Sequence, residues 1–171
     1  RNQGLEEFLT DLGSDDPTPG GGSAAAVTGA LGAALCEMVA SLTLDKKKYK
    51  DVETTFKRIL SKANSLRNGF LEALDEDIQA YNEVIDAYRL PSDSEEENEK
   101  RTKIIQSALK NATVPPLKIA QLAIEVLKLS KECAISGNRN AITDAGTSAI
   151  LANAAVQSAM FNVDINLSSI S

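Results

Sequence analysis

Residues 51–88 read DVETTFKRILSKANSLRNGFLEALDEDIQAYNEVIDAY. Apolar side chains recur there in steps of three and four: Val52, Phe56, Ile59, Ala63, Leu66, Phe70, Leu74, Ile78, Tyr81, Ile85 and Tyr88. The spacing predicts one helix over 51–88, roughly 55 Å long at 1.5 Å per residue, ended by Pro91. A helix of that length cannot bury its stripe against short neighbours alone. The expected fold is therefore all-α, an elongated antiparallel helical bundle completed as a dimer by a second subunit.

The flanking sequence fits this class. Leu5, Phe8, Leu9 and Leu12 give a short helix over 3–12, and a loop follows over 13–22. Ser23 reads as the N-cap of a helix running to about Leu44. Lys46, Lys47, Lys48 and Tyr49 form a connection or an imperfect helical continuation. Ser94 with Glu97 is a capping-box signature for a helix over 95–111. The pair Pro115-Pro116 opens another over 116–135, SGNRN makes a turn over 136–140, and a last helix runs from Thr143 to about Asn162. Aromatics at 4% and few β-branched runs leave little material for strands. With 171 residues, the expectation is one domain over 1–171.

Composition excludes several kinds of chemistry. A formal charge of −6 opposes association with nucleic acid or an anionic membrane, so neither is expected as a partner. The absence of histidine removes Ser–His and Cys–His nucleophiles and histidine-based metal sites, and no metal is expected. Cys36 and Cys133 lie inside apolar helical patterns and read as buried free thiols of a reducing, cytoplasmic compartment. No basic-then-apolar leader opens the sequence, and Arg1 in place of methionine implies residues before it. The apolar run 24–36 is read as too short and alanine-rich to span a bilayer.

The stretch DDPTPGGGSAAAVTGALGAAL, residues 15–35, holds little side-chain bulk. Ala25, Gly29 and Ala33 are four apart, as are Ala26, Ala30 and Ala34. The last helix has the same character through Ala141, Ala145, Ala149, Ala152, Ala155 and Ala159, so the two are expected to pack closely on each other or on symmetry mates. Gly20, Gly21 and Gly22 do not make a phosphate loop, because no strand precedes them and no lysine follows in register. They are either a tight turn or a way to expose helix N–H groups to an electron-rich ligand.

Among Asp75, Glu76 and Asp77, only Asp77 falls on the apolar stripe, beside Leu74, Tyr81 and Val84. A carboxylate there is either a candidate acid or base with a raised pKa or half of an ion pair with Arg89 or a lysine. Asp144 stands at a helix start after Asn138, Arg139, Asn140 and Thr143, where an acid complements the dipole.

Taken together, PTPGGGSAAAVTGALGAALCEMVASLT, DKKKYKDVE, DEDIQAYNEVIDAYRLP, GNRNAITDAG and FNVDINLSSI resemble the cyclodeaminase/cyclohydrolase family. That family includes the C-terminal domain of formiminotransferase-cyclodeaminase and stand-alone methenyltetrahydrofolate cyclohydrolases, also described as serine-cycle enzymes. The resemblance implies a helical, dimeric, folate-dependent protein with no permanently bound cofactor, its substrate a tetrahydrofolate derivative with or without a polyglutamate tail. It implies a folate site lined by Gly20, Gly21, Gly22 and Ser23, with Lys46, Lys47, Lys48, Tyr49, Tyr81, Arg89, Asn138, Asn140, Asp77 and Asp144 as further residues of the site. The catalytic role expected of Asp77 and Asp144 comes from the chemistry, since without histidine only carboxylates, lysine and tyrosine can move the substrate's protons. Ser92 departs from the lysine that relatives often carry after LP. The expected activity is hydrolysis of 5,10-methenyltetrahydrofolate to 10-formyltetrahydrofolate. Formiminotetrahydrofolate cyclodeamination, an ammonia-lyase reaction, is the alternative, and a non-catalytic folate-binding dimer or a ligand-independent scaffold are the competing classes. Asp77 is the expected base, Asp144 a second carboxylate holding pterin or water, and the lysines with Arg89 the holders of the glutamate tail.

Overall fold

The computed structural model describes residues 4–170, so Gln3 of the expected first helix lies outside the described residues. Six helices follow in order: α1 Leu5–Leu12, α2 Gly21–Thr43, α3 Glu53–Tyr88, α4 Glu95–Ala112, α5 Val114–Ser136 and α6 Ile142–Ser168. Short 3-10 turns at Lys47–Val52 and Arg139–Ala141 lead into α3 and α6, and no strand occurs among the described residues.

Helices α2, α3, α5 and α6 form an up-down-up-down bundle. Cross-links between α3 and α5 fix their antiparallel register: Arg58 pairs with Glu132, Lys62 with Glu125 at 3.9 Å, and Lys118 with Glu76 at 2.8 Å. Glu37, the charge that closes the apolar run of α2, pairs with Arg67 of α3 at 2.7 Å. The core comprises Phe56, Ile59, Leu66 and Phe70 of α3, Ile119, Val126 and Leu129 of α5, and the small residues of α2 and α6.

The two small-residue helices do pack on each other. A methyl group added at Gly32 would lie 3.2 Å from the Ser148 carbonyl oxygen and 3.5 Å from the Ala152 nitrogen, so the backbones themselves are in contact. At Gly29 an added methyl group would come 2.3 Å from the Phe70 ring, which packs against the helix where a side chain is missing. Cys36 sits at this crossing as a free thiol, 3.2 Å from Ser148 Oγ and 3.5 Å from Ser130 Oγ, and Cys133 is free as well.

At 36 residues α3 outruns the 23-residue α2, and its last turns leave the bundle. There α4 folds back on it, and Ala80, Val84 and Ala87 of α3 bury against Ala108, Leu109 and Ala112 of α4. This turns the stripe. Tyr81 and Tyr88, expected on the buried face, are exposed, because Ala80, Val84 and Ala87 carry the contact with α4. The capping box of Ser94 and Glu97 forms as its spacing predicts.

Three expectations need correction. Ser23 is not the N-cap of α2; Gly20 is, and Ser23 lies buried inside the first turn. Helix α6 continues six residues beyond Asn162, since no glycine or proline interrupts it and the Asn166 Nδ2 donates to the Ala112 carbonyl at 2.7 Å. The apolar run 24–36 belongs to a helix long and apolar enough, by length and composition, to cross a membrane; half of that window is buried against the bundle. Helix α1 forms where its spacing predicts, with Leu5 and Leu9 exposed and Phe8 and Leu12 half-buried.

The Gly29 contact makes a direct stability test. Gly29→Ala is expected to lower the unfolding free energy by about 1–3 kcal/mol through overpacking against Phe70. Gly69→Ala, whose methyl group would meet only the Leu122 methyls at 3.4 Å, is expected to gain about 0.5–1 kcal/mol from helix propensity. Urea unfolding midpoints of the two variants, measured side by side, check both signs.

Candidate functional site

Where α3 passes from the bundle to the hairpin with α4, a cleft of about 450 Å³ opens. Its walls come from four places: the loop Pro17–Gly20 and first turn of α2, the α3 residues Asp77, Tyr81, Ile85 and Tyr88, the end of α4, and the last turns of α6 through Asn162 and Asn166.

Asp77 is half-buried at the boundary, between buried Ala73 and Ala80. Its carboxylate lies against the N-terminus of α2: a methyl group on Gly22 would fall 2.4 Å from Oδ2 and 2.6 Å from Oδ1. Only Gly22 of the three glycines is required by such an approach. Additions at Gly20 and Gly21 would meet nothing closer than 3.6 Å, and Gly20 (φ −126°) is in an extended conformation open to any residue. Because Gly20 provides no side-chain cap, the first-turn N–H groups and the positive end of the helix dipole are left toward the cleft that Gly20–Gly22 line.

Burial pushes the Asp77 carboxyl above its ordinary range, and the Ser23 hydroxyl beside it offsets part of that rise. Ser23 is unusual in its own right. The buried hydroxyls of Thr43, Ser130 and Ser148 donate to the Val39, Val126 and Gly32 carbonyls at 2.7, 2.8 and 2.7 Å. Ser23 Oγ is buried with no partner in hydrogen-bond geometry. It is close enough to Asp77 to bear on its titration but short of a formed bond. The neighbouring Glu76 is directed elsewhere, onto Lys118. Arg89, the alternative partner for Asp77, pairs with Asp86 at 3.4 Å instead and stays exposed beyond the edge of the cleft.

The remaining sequence candidates gather at the other end of α2. Tyr49 Oη accepts from the Arg139 N–H at 3.1 Å, and Lys48 Nζ sits 5.5 Å from the Tyr49 ring centre. Asn138 closes the C-terminus of α2, its N–H donating to Thr43 Oγ1 at 2.9 Å and its Nδ2 to the Leu42 carbonyl at 2.8 Å. Its Oδ1 accepts from the Asn140 N–H at 3.1 Å. Asp144 lies in the first turn of α6. A second groove, between Lys48, Tyr49, Arg139 and Ile142, marks this end. With α2 about 34 Å long, one protomer does not bring Lys46–Tyr49, Asn138, Asn140 or Asp144 to the Asp77 cleft.

Sequence reasoning missed Asn162, Asn166 and Tyr88 as lining residues. The two asparagines had a signal: two amides one turn apart on one face near the end of α6.

A family model described as Formiminotransferase-cyclodeaminase matches residues 4–171. The chain is 44% identical to the methenyltetrahydrofolate cyclohydrolase of Methylorubrum extorquens, over 96% of this chain and 79% of that protein. It is 32% identical to the formimidoyltransferase-cyclodeaminase of Rattus norvegicus over 95% of its own length, but spans only 30% of that longer protein. The crystal structure of formiminotetrahydrofolate cyclodeaminase from Thermotoga maritima is similar with a TM-score of 0.88 at 34% identity, covering 99% of this chain and 81% of that one.

The electrostatics of the cleft predict how Asp77 titrates. Desolvation raises its pKa and Ser23 lowers it, so Ser23→Ala is expected to move the Asp77 midpoint further up. Carboxyl carbon-13 NMR titration of the protein and the variant reads this directly; an unmoved or lowered midpoint contradicts the assignment.

Proposed function

The chain belongs to the formiminotransferase-cyclodeaminase family, and from that premise we propose that it hydrolyses 5,10-methenyltetrahydrofolate to 10-formyltetrahydrofolate in the Asp77 cleft. The observation that carries this reading is the half-buried Asp77 carboxyl, raised above its usual range, against a helix N-terminus with no side-chain cap. The identity to the Methylorubrum cyclohydrolase over most of both chains supports the same chemistry.

The substrate carries an electrophilic amidinium carbon between N5 and N10. Asp77 takes a proton from water as the water oxygen bonds to that carbon. The C–N5 bond then breaks and its electron pair returns to N5, which receives the proton Asp77 now holds. The adduct hydroxyl becomes the formyl carbonyl on N10 and releases its proton to solvent. A carboxyl raised toward neutrality serves both steps, as base when ionised and as acid when protonated. It is also the natural counter-ion for the cationic substrate. Tyr81, one turn beyond Asp77, and the Gly21 and Gly22 N–H groups hold the ring system. No cofactor beyond the folate itself is needed. Arg89, next to Tyr88 at the outer edge, takes the carboxylates of the glutamate tail.

The same cleft accommodates cyclodeamination, which the Thermotoga neighbour's name favours. There N10 attacks the formimino carbon of the substrate and its proton passes to the imino nitrogen, giving an amine. Protonated Asp77 then delivers its proton to that amine as its bond to the carbon breaks, and it leaves as ammonia with the methenyl cation as product.

A homodimer belongs to this reading. Exposed Leu31, Met38 and Leu42 run along α2, and Ile150, Phe161 and Ile165 along α6, a pair of apolar faces that a second copy would cover. Only a partner's lysine end can then bring Lys46–Tyr49 and Asp144 to the ligand, given their separation from Asp77 in one protomer. The buried free thiols fit a reducing cytoplasm.

The test is loss of methenyltetrahydrofolate absorbance near neutral pH against the uncatalysed rate. The protein is expected to accelerate it, and Asp77→Asn, with circular dichroism unchanged, to reduce kcat by about 10²-fold or more. Unchanged turnover in Asp77→Asn sinks the base assignment; no acceleration by the wild type, with turnover of formiminotetrahydrofolate, selects the cyclodeaminase. A pH signature accompanies the base role. Activity is lost as pH falls through the Asp77 pKa, and the cationic substrate favours the carboxylate, so the acid limb of kcat is expected at lower pH than that of kcat/KM.

A further inference from the structure

We propose that Asn162 and Asn166 are a fixed pair of hydrogen-bond acceptors that reads the donor-bearing edge of the pterin ring. The proposal rests on the folate reading of the cleft and goes beyond it by naming what selects the ring.

Both residues line the cleft, one helical turn apart near the end of α6. Each has committed its amide nitrogen elsewhere: Asn162 Nδ2 donates to the Ser158 carbonyl at 2.8 Å, and Asn166 Nδ2 to the Ala112 carbonyl at 2.7 Å. A backbone carbonyl only accepts, so the nitrogen must face it, and the orientation of each side-chain amide follows from chemistry alone. The two Oδ1 atoms are thereby turned away from those carbonyls, and neither receives a hydrogen bond among the described residues.

The Asn166 amide is not free to turn over. The carbonyl of Ala112 belongs to the last residue of α4, one of the helix-end acceptors with no partner inside its own helix. Rotating Asn166 would strand it. The Asn162 amide lies over Gly21, where an added methyl group would sit 3.6 Å from Nδ2 and 3.7 Å from Oδ1. Its position is set beside the first turn of α2.

The cleft therefore presents two acceptor oxygens from α6 in addition to the Asp77 carboxylate, and donors from the helix terminus at Gly21 and Gly22 and from the hydroxyls of Thr18, Tyr81, Tyr88 and Ser169. The pyrimidine half of a pterin carries a ring N–H and an exocyclic amino group side by side, with a carbonyl oxygen next to them. Donors on that edge match the asparagine oxygens, and its carbonyl matches the helix N–H groups. A half-buried acceptor left without a donor is costly, so an analogue lacking the amino group forfeits affinity at this edge.

The experiment compares methenyltetrahydrofolate with its 2-desamino-3-methyl analogue, which lacks both the amino group and the ring N–H, as substrates for wild type, Asn162→Ala and Asn166→Ala. Wild type is expected to favour the natural substrate about tenfold in KM. Each variant is expected to raise KM for the natural substrate by about tenfold, to leave kcat within a factor of about three, and to bind the analogue as before, so that discrimination collapses. Equal KM increases for both substrates, or retained discrimination, overturns the proposal. Because Asn166→Ala also removes a tie to α4, Asn162→Ala with unchanged circular dichroism decides the matter where the other variant unfolds. A wild type inactive on methenyl- and formiminotetrahydrofolate alike overturns the proposed function instead; calorimetric binding of tetrahydropterin, lost in Asn162→Ala or retained, then decides the asparagine pair by itself.

Discussion

The absence of side chains between α2 and α6 is the constraint on which the rest of the molecule depends. At Gly32 the two backbones touch, and Ser148 Oγ donates directly to the Gly32 carbonyl at 2.7 Å. Contact of that kind replaces the directionless packing of large side chains with many short-range dispersion contacts that tolerate only one register. The register fixes more than the core. Because α6 runs antiparallel to α2 from this crossing, its last turns must arrive beside Gly21, which sets Asn162 against the first turn of α2. A looser crossing built from leucines would leave the end of α6 without a defined position.

The second consequence follows from unequal lengths. A 36-residue helix against a 23-residue partner cannot be covered along its whole stripe. The excess of α3 is sheathed by α4 through alanines and a few larger groups, and a cleft opens where one packing partner gives way to the other. Asp77 sits at that change of partner. It is desolvated enough for its carboxyl to be raised and still borders a space that a ligand can enter. The same geometry makes Gly22 a chemical requirement, since any β-carbon there would occupy the carboxylate's place. The other end of α2 is closed by Asn138, which satisfies the Leu42 carbonyl, and by Tyr49, which accepts from the Arg139 N–H. The two ends of one helix are thus differently equipped: one capped by its own chain, the other left open.

Much of this was legible in the residues. The three-and-four periodicity from Val52 to Leu74 reports a helix with one buried face, and burial of Phe56, Ile59, Leu66 and Phe70 follows it closely. The small-residue spacing of α2 and α6 reports faces that call for close approach, and the two helices meet that need on each other. Asp77 stands out because a charge on an apolar stripe needs a reason. Past Asp77 the periodicity misleads: Tyr81 and Tyr88 keep the helical step but face the cleft, since the partner there is a thin layer of alanines on α4. The N-cap was misplaced for a related reason. Serine is the commoner cap, but here Ser23 is drawn inside the helix beside a carboxylate from another element, which no local pattern records.

The sequence by itself determined the helices, the close approach that the small-residue faces of α2 and α6 require of whatever packs on them, and the one acid whose position is energetically costly, because each depends on residues within a few turns of one another or on the bulk of a helix face. Only the tertiary structure decided which of the polar residues share a space. Asp77, Gly22, Asn162 and Asn166 come from three helices and converge because α3 overshoots the bundle; Lys46–Tyr49, Asn138, Asn140 and Asp144 are carried to the far end because α2 is about 34 Å long and straight through the core. Distance along a rigid helix is written in residue count, but which ends meet is fixed only when the helices pack.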